Sequence, residues 1–128
     1  MQLQRIHHIA IICSDYEKSK HFYVNVLGCE IVAETYRSAR NSYKLDLRLS
    51  NGDGIELFSF LTPPQRPTQP EACGLRHLAF AVTDLEGAVA ELNHQGVATE
   101  PIRVDELTGK RFTFFRDPDN LPLELYEQ

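Results

Sequence analysis

The chain repeats itself, and that constrains its fold more than any single motif. His8 and His77 lie 69 positions apart, as do Asp15 and Asp84. Gly28 and Gly96 are separated by 68, and the same 68 relates "IELF" at Ile55–Phe58 to "LELY" at Leu123–Tyr126. One deletion in the second helix accounts for the change. Such self-similarity means two copies of one supersecondary unit. At 128 residues the whole is one ordinary domain, long enough to bury a core without staples. The expected organisation is a single domain over 1–128, with a first module at 5–60, a connector at 61–74 and a second module at 75–127.

Each copy reads as β-α-β-β-β. The hydrophobic run Ile6–Cys13 is a strand that ends at "SDYE", where Ser14 and Glu17 have capping-box spacing. Tyr16, Ser19, Tyr23, Val26 and Leu27 then recur at helical intervals, and Gly28 sits where a left-handed cap is needed. Strand-like segments follow at 30–36, 43–49 and 54–60, with "NGDG" at 51–54 as a hairpin turn. Pro63, Pro64, Pro67 and Pro70 exclude a helix or a central strand and mark the connector. The pattern then restarts. A strand at 75–82 leads to a second capping box, Thr83–Glu86, and a helix through Leu85, Ala88, Val89 and Leu92 ends at Gly96. Strands at 98–103, 111–116 and 121–126 complete the copy, the last two joined by the turn "DPDN" at 117–120.

Bulk properties narrow the partners. Thirteen basic against 18 acidic residues give a formal charge of −5 with no basic run, which argues against nucleic acid and anionic membranes. No apolar stretch approaches the ~20 residues of a bilayer span. "MQLQRIHHIA" is too polar for a signal peptide, so a cytoplasmic protein is expected. Three cysteines, Cys13, Cys29 and Cys73, are odd in number and lack a CxxC, as isolated thiols in a reducing compartment would. "TGK" at 108–110 lacks the upstream glycines of a phosphate loop.

The chemistry lies in what the repeat duplicates. In a strand, successive side chains face opposite ways, so His8 shares a face with Ala10 and Ile12, and His7 with Ile9, Ile11 and Cys13. His77 likewise lies with Ala79 and Ala81. Each copy also sets a glutamate in an apolar last strand, Glu56 in "GIELFSF" and Glu124 in "LPLELYE". A carboxylate on a sheltered face is costly unless it is paired, hydrogen-bonded or metal-bound. One in-strand histidine is commonly a satisfied core residue. Two His–Glu pairs at equivalent repeat positions point instead to a divalent cation held by His8, Glu56, His77 and Glu124, with room for open coordination positions. His7 is expected to be structural, facing the helix side or a partner; His21 and His94 are expected to be solvated.

Taken together, "HHIAII", "SKHFYVNVLG", "IELFSF", "PPQRPTQPEACGLRHLAF" and "KRFTFFRDPDNLPLELYEQ" resemble the vicinal oxygen chelate (VOC) superfamily of glyoxalases, bleomycin-resistance proteins and dioxygenases. Within it they are similar to small bacterial YaeR-type, glyoxalase-like members. The resemblance implies an α+β fold in which tandem βαβββ modules form a curved mixed-sheet cup around a divalent metal (Ni, Co, Zn, Mn or Fe). It places the ligands at the same four residues. It also implies a homodimer, with each site built within one chain or shared between subunits, and a ligand glutamate that moves protons, Glu124 before Glu56.

By the same resemblance the reaction is a glyoxalase-like lyase or isomerase step on a small oxygen-chelating substrate. Ile12 and Phe60 stand where glutathione-using glyoxalases carry polar anchors, which speaks against a glutathione adduct. Arg37, Arg40, Tyr43 and Lys44 in "YRSARNSYK" suit a carboxylate or phosphate of the substrate, and Lys110 with Arg111 is a second candidate pair. The alternatives are an antibiotic-sequestering protein of the same fold and a thiol transferase of fosfomycin-resistance type.

Overall fold

A computed structural model describes all 128 residues. The chain divides into two compact units, 1–64 and 65–128. The first contains β1 (His8–Cys13), α1 (Tyr16–His21), β2 (Glu30–Arg37), β3 (Ser42–Arg48) and β4 (Gly54–Ser59). The second contains β5 (Leu78–Val82), α2 (Leu85–His94), β6 (Arg103–Val104), β7 (Arg111–Arg116) and β8 (Pro122–Glu127). Each unit forms one four-stranded mixed sheet, in the orders β1-β4-β3-β2 and β5-β8-β7-β6. In both, the first strand runs parallel to the last, and the remaining pairs are antiparallel. This is the mixed α+β architecture of a duplicated βαβββ unit.

Period-2 alternation sets the faces. On β1, Ile11 and Cys13 are buried while His8, Ala10 and Ile12 are exposed. On β3 and β4, Leu45, Leu47, Ile55 and Leu57 are buried. These side chains share the first core with Phe22 and Tyr23 from the helical segment. The second core holds Leu85 and Leu92 of α2 with Phe115, Leu121, Leu123 and Leu125. His7 is exposed and lies just before β1, which begins at His8.

Four local departures from expectation have physical causes. Both helices start one residue later than the capping-box reading, with Asp15 and Asp84 as the caps. Asp15 Oδ1 accepts from the Lys18 amide at 3.1 Å, and Asp84 Oδ1 accepts from the Gly87 amide at 2.9 Å. A carboxylate accepts more strongly than a hydroxyl and complements the positive helix end. Gly87 makes space for it, since a Cβ there would stand 2.3 Å from Asp84 Oδ2. Asp84→Ala should therefore cost about 1 kcal/mol of stability in chemical denaturation, and Thr83→Ala less than about half that.

The first helix is α-helical only to His21 and continues as a π-turn over Phe22–Val26. There the Leu27 amide reaches back to the Phe22 carbonyl at 2.9 Å. Gly28 and Gly96 do take left-handed φ angles, 76° and 80°, as terminators of this kind require. The fifth strand begins at Leu78 rather than 75. The strand expected over 98–103 shrinks to Arg103–Val104, because Pro101 cannot donate to a ladder. Pairing persists upstream as one bond from the Glu100 amide to the Phe114 carbonyl, at 2.8 Å.

Candidate metal centre

The same ladder geometry presents one histidine and one glutamate from each module. On β1 and β4 the register sets Ala10 opposite Glu56; on β5 and β8 it sets Ala79 opposite Glu124. In both cases the histidine lies two residues before that alanine, on the same face as the carboxylate. His8 Nε2 is 3.6 Å from Glu56 Oε2, and His77 Nε2 is 3.1 Å from Glu124 Oε2. The small alanines leave the imidazoles room. Gly54 does the same beside His8, where a Cβ would lie 2.9 Å from the His7 carbonyl and 3.1 Å from His8 Cβ. Both glutamates are well sheltered, their side chains 17% and 12% exposed.

The residue preceding each histidine engages its other ring nitrogen. His7 Nδ1 lies 2.9 Å from His8 Nδ1, with the rings edge to face. Arg76 Nη1 lies 3.3 Å from His77 Nδ1. A guanidinium only donates, so in this arrangement Nδ1 of His77 accepts and its Nε2–H points at Glu124. A histidine that ligates through Nε2 carries its proton on Nδ1 and donates it to an acceptor, so His77 would have to change tautomer and release Arg76 before ligating through that nitrogen.

The two half-sites differ in what flanks them. Lys44 and Asp46 on β3 correspond, through the 68-residue offset, to Phe112 and Phe114 on β7. Lys44 Nζ sits 3.2 Å from Glu56 Oε1 and 3.1 Å from Asp46 Oδ1. Those contacts, that with Asp46 before that with Glu56, hold its ammonium above the ordinary lysine range. Glu56 is thus gripped on both oxygens. Glu124 is paired only with His77, and Phe114 meets the His77 ring edge-on at 5.1 Å.

Of the remaining sequence candidates, Arg37 lies over the Glu56 face, since Phe58 is two residues from Glu56 and pairs with Lys44. Arg37 donates to Ser42 Oγ at 2.8 Å and stacks over Phe58 at 4.8 Å, while Arg40 is exposed on a 3₁₀ turn over Ser38–Arg40. Tyr43 stacks on Tyr16 at 4.5 Å. Arg111 is held by Glu127 at 2.6 Å and Glu86 at 2.8 Å, contacts that raise its pKa further. Sequence reasoning missed Asp46 and Arg76: Arg76 is legible as the chain neighbour of His77, whereas Asp46 is set beside Glu56 only by the β3–β4 register. Cys13 and Cys29 are buried and Cys73 exposed, and none is in a disulfide; burial pushes the Cys29 thiol up to about 11, away from nucleophilic use.

No group of three or more His, Cys, Asp or Glu side chains capable of holding a metal forms in the chain. What each module offers is a two-ligand half-site, imidazole plus carboxylate. The donor chemistry fits a borderline-to-hard divalent ion, and neither half alone fills a coordination sphere.

The family model of the Glyoxalase/Bleomycin resistance protein/Dioxygenase superfamily matches residues 5–125. The chain belongs to this superfamily. It is 68% identical to the uncharacterized protein YwkD of Bacillus subtilis over the full length of both chains. To YaeR of Escherichia coli it is 60% identical, over 98% of each. A glyoxalase family protein from Enterococcus faecalis, known by crystal structure, is 52% identical with a TM-score of 0.92, covering 99% of this chain and 100% of that one.

The superfamily includes enzymes of several kinds. A 2-epi-5-epi-valiolone epimerase from Actinomyces sp. is 30% identical over 94% of this chain and 77% of its own. A lactoylglutathione lyase from Schizosaccharomyces pombe is 26% identical over all of this chain and 49% of its own. The fosfomycin resistance protein FosX of Listeria monocytogenes, crystallised with Mn(II), shares the VOC fold at 20% identity (TM-score 0.77, 98% and 93% coverage). No helix is long and apolar enough to cross a membrane.

Proposed function

We propose that this VOC protein is a divalent-metal-dependent lyase or isomerase of glyoxalase-like type. It acts on a small substrate with adjacent oxygens, as a homodimer. The observation that carries the reading is the duplication: one histidine and one glutamate, in equivalent strand register, on one face of each module. His8, Glu56, His77 and Glu124 are the proposed ligands. The ion, when bound, supplies Lewis-acid polarisation of the substrate oxygens and stabilises the negative charge that develops there.

The chain's own groups do the rest. Glu56, gripped by His8 and Lys44, is suited to stay in place. Glu124, with Oε1 outside its pairing with His77, is suited to take a proton from the carbon beside a carbonyl and return it to the neighbouring atom. No oxidant is consumed, which is the balance of an isomerisation. Ile12 and Phe60 are exposed and apolar and offer no polar anchor for a tripeptide at those two positions; the charges on this face, Lys44 and Asp46, lie beside Glu56.

Metal analysis of protein purified without added metal tests the reading. Wild type should carry near-stoichiometric divalent metal, and His77→Ala should lose most of it while keeping its circular dichroism spectrum. Unchanged metal content in His77→Ala would overturn the assignment.

A further inference from the structure

The second module contains a cavity of about 200 Å³ between the connector and the β7–β8 face, with His77 at its wall. Its lining includes four arginines, Arg66, Arg76, Arg103 and Arg116, against two carboxylates, Glu71 and Glu100. Four positive charges less two negative leave an excess of two, with His77 neutral. In a chain whose formal charge is −5, this is a local inversion of sign, and a concave cationic surface focuses its field on small anions.

The arginines are not equally engaged. Arg76 pairs with Glu71 and leans on His77. Arg103 pairs with Glu100 at 3.3 Å and lies over the Phe112 ring at 5.1 Å. Arg66 is fixed by its own donors: Nε to Thr68 Oγ1 at 2.9 Å, and Nη2 to the Leu75 carbonyl at 3.0 Å. Thr68 in turn donates to the Asn120 carbonyl at 3.1 Å, tying the connector to the β7–β8 turn. That leaves Arg66 Nη1 available. Arg116 is exposed and has no side-chain partner in the module.

Strand register gives the direction. Phe114 pairs with Glu124, and Arg116 pairs with Pro122. Arg116 therefore lies on the Glu124 face, two residues along the ladder, or about 7 Å. We propose that this cavity holds the oxyanion of the substrate, a carboxylate or phosphate, through Arg116 and Arg66. On the reaction reading above, on which its place in a substrate rests, the substrate is a short hydroxy- or oxo-acid or a phosphorylated counterpart. Its oxygens sit at the His77–Glu124 end and its anionic group about 7 Å away. The volume admits a group of a few heavy atoms rather than a drug-sized ligand, which takes upwards of ~300 Å³. A planar guanidinium with free donors is the side chain that reads such groups.

The test uses full-length dimer or monomer as purified, with inorganic phosphate and glycolate as separate probes, titrated by amide NMR shifts. Saturable binding is expected for at least one probe, weakened tenfold or more in Arg116→Ala and partly restored in Arg116→Lys. Arg5→Ala, at an exposed arginine of the first module that pairs with Asp53, should bind as wild type. Which probe saturates distinguishes carboxylate from phosphate recognition. Failure of both probes to saturate, or wild-type binding by Arg116→Ala, would overturn the proposal. Metal content measured on the same samples keeps the two readings separate: Arg116→Ala should retain its metal, and His77→Ala should lose metal whether or not the anion still binds.

Discussion

Glu124→Gln is expected to reduce turnover by roughly 10²–10⁴-fold, the usual contribution of a positioned proton-transfer group. Glutamine keeps the size of the side chain and one acceptor oxygen, but cannot take the proton. The assay is exchange of the carbon-bound hydrogen of short oxo- or hydroxy-acids with solvent deuterium, followed by NMR at saturating divalent metal. Saturating metal matters, because the substitution also removes a ligand charge. Glu56→Gln is expected to act mainly on metal affinity, since its carboxylate is already engaged by Lys44 at 3.2 Å. The contrast between the two glutamates is the informative quantity. Equal losses in kcat for both variants at saturating metal would remove the distinction in role, and undiminished exchange in Glu124→Gln would remove the proton-transfer assignment altogether.

That contrast was only half legible in the sequence. The two His–Glu pairs could be read because both determinants are local and repeated: period-2 alternation assigns the face, and the constant offset shows that both copies kept the same choice. The difference between the copies came from neighbours on a third strand. Lys44 and Asp46 reach Glu56 only because β3 pairs with β4 in a register that sets Asp46 opposite Glu56, and no pattern along the chain specifies that register. The arginine cavity was hidden for the same reason more strongly. Arg66 and Arg116 are fifty positions apart, and they gather only after the connector is tied to Asn120. The cluster "YRSARNSYK" drew attention because its charges are adjacent in sequence, but adjacency on a twisting edge segment sends side chains in different directions. Arg37 turns onto Phe58, two residues from Glu56 on the same face of β4, whereas Arg40 stays on an exposed turn.

Backbone detail shows a related limit. The π-turn at Phe22–Val26 adds one residue to a helical loop of hydrogen bonds, and a 3.6-residue pattern with one extra residue still looks helical over five positions. Asp15 and Asp84 were visible as cap residues in type, yet the Ser-x-x-Glu and Thr-x-x-Glu spacing gave a competing reading one residue earlier. The structure decides between them through Glu86, which turns to Arg111 at 2.8 Å instead of returning to the helix start.

The orientation of β1 underlies every statement about His8, and a pair of adjacent isoleucines tests it. Ile11 is 7% exposed and Ile12 is 55% exposed. Ile11→Ala should lose about 2–5 kcal/mol, the transfer term plus the cavity left beside its buried ladder partner Leu57. Ile12→Ala should change stability by no more than about 0.5 kcal/mol. For a domain whose whole stability is on the order of 5–15 kcal/mol, the first loss moves a urea midpoint far and the second barely at all. The two residues are chemically identical and one position apart, so propensity and unfolded-state effects cancel in the comparison. What remains is the face each occupies. His8 and Ile12 are four residues apart on one strand and must share a face, so a large effect at Ile12 with a small one at Ile11 would turn His8 into the core and away from Glu56.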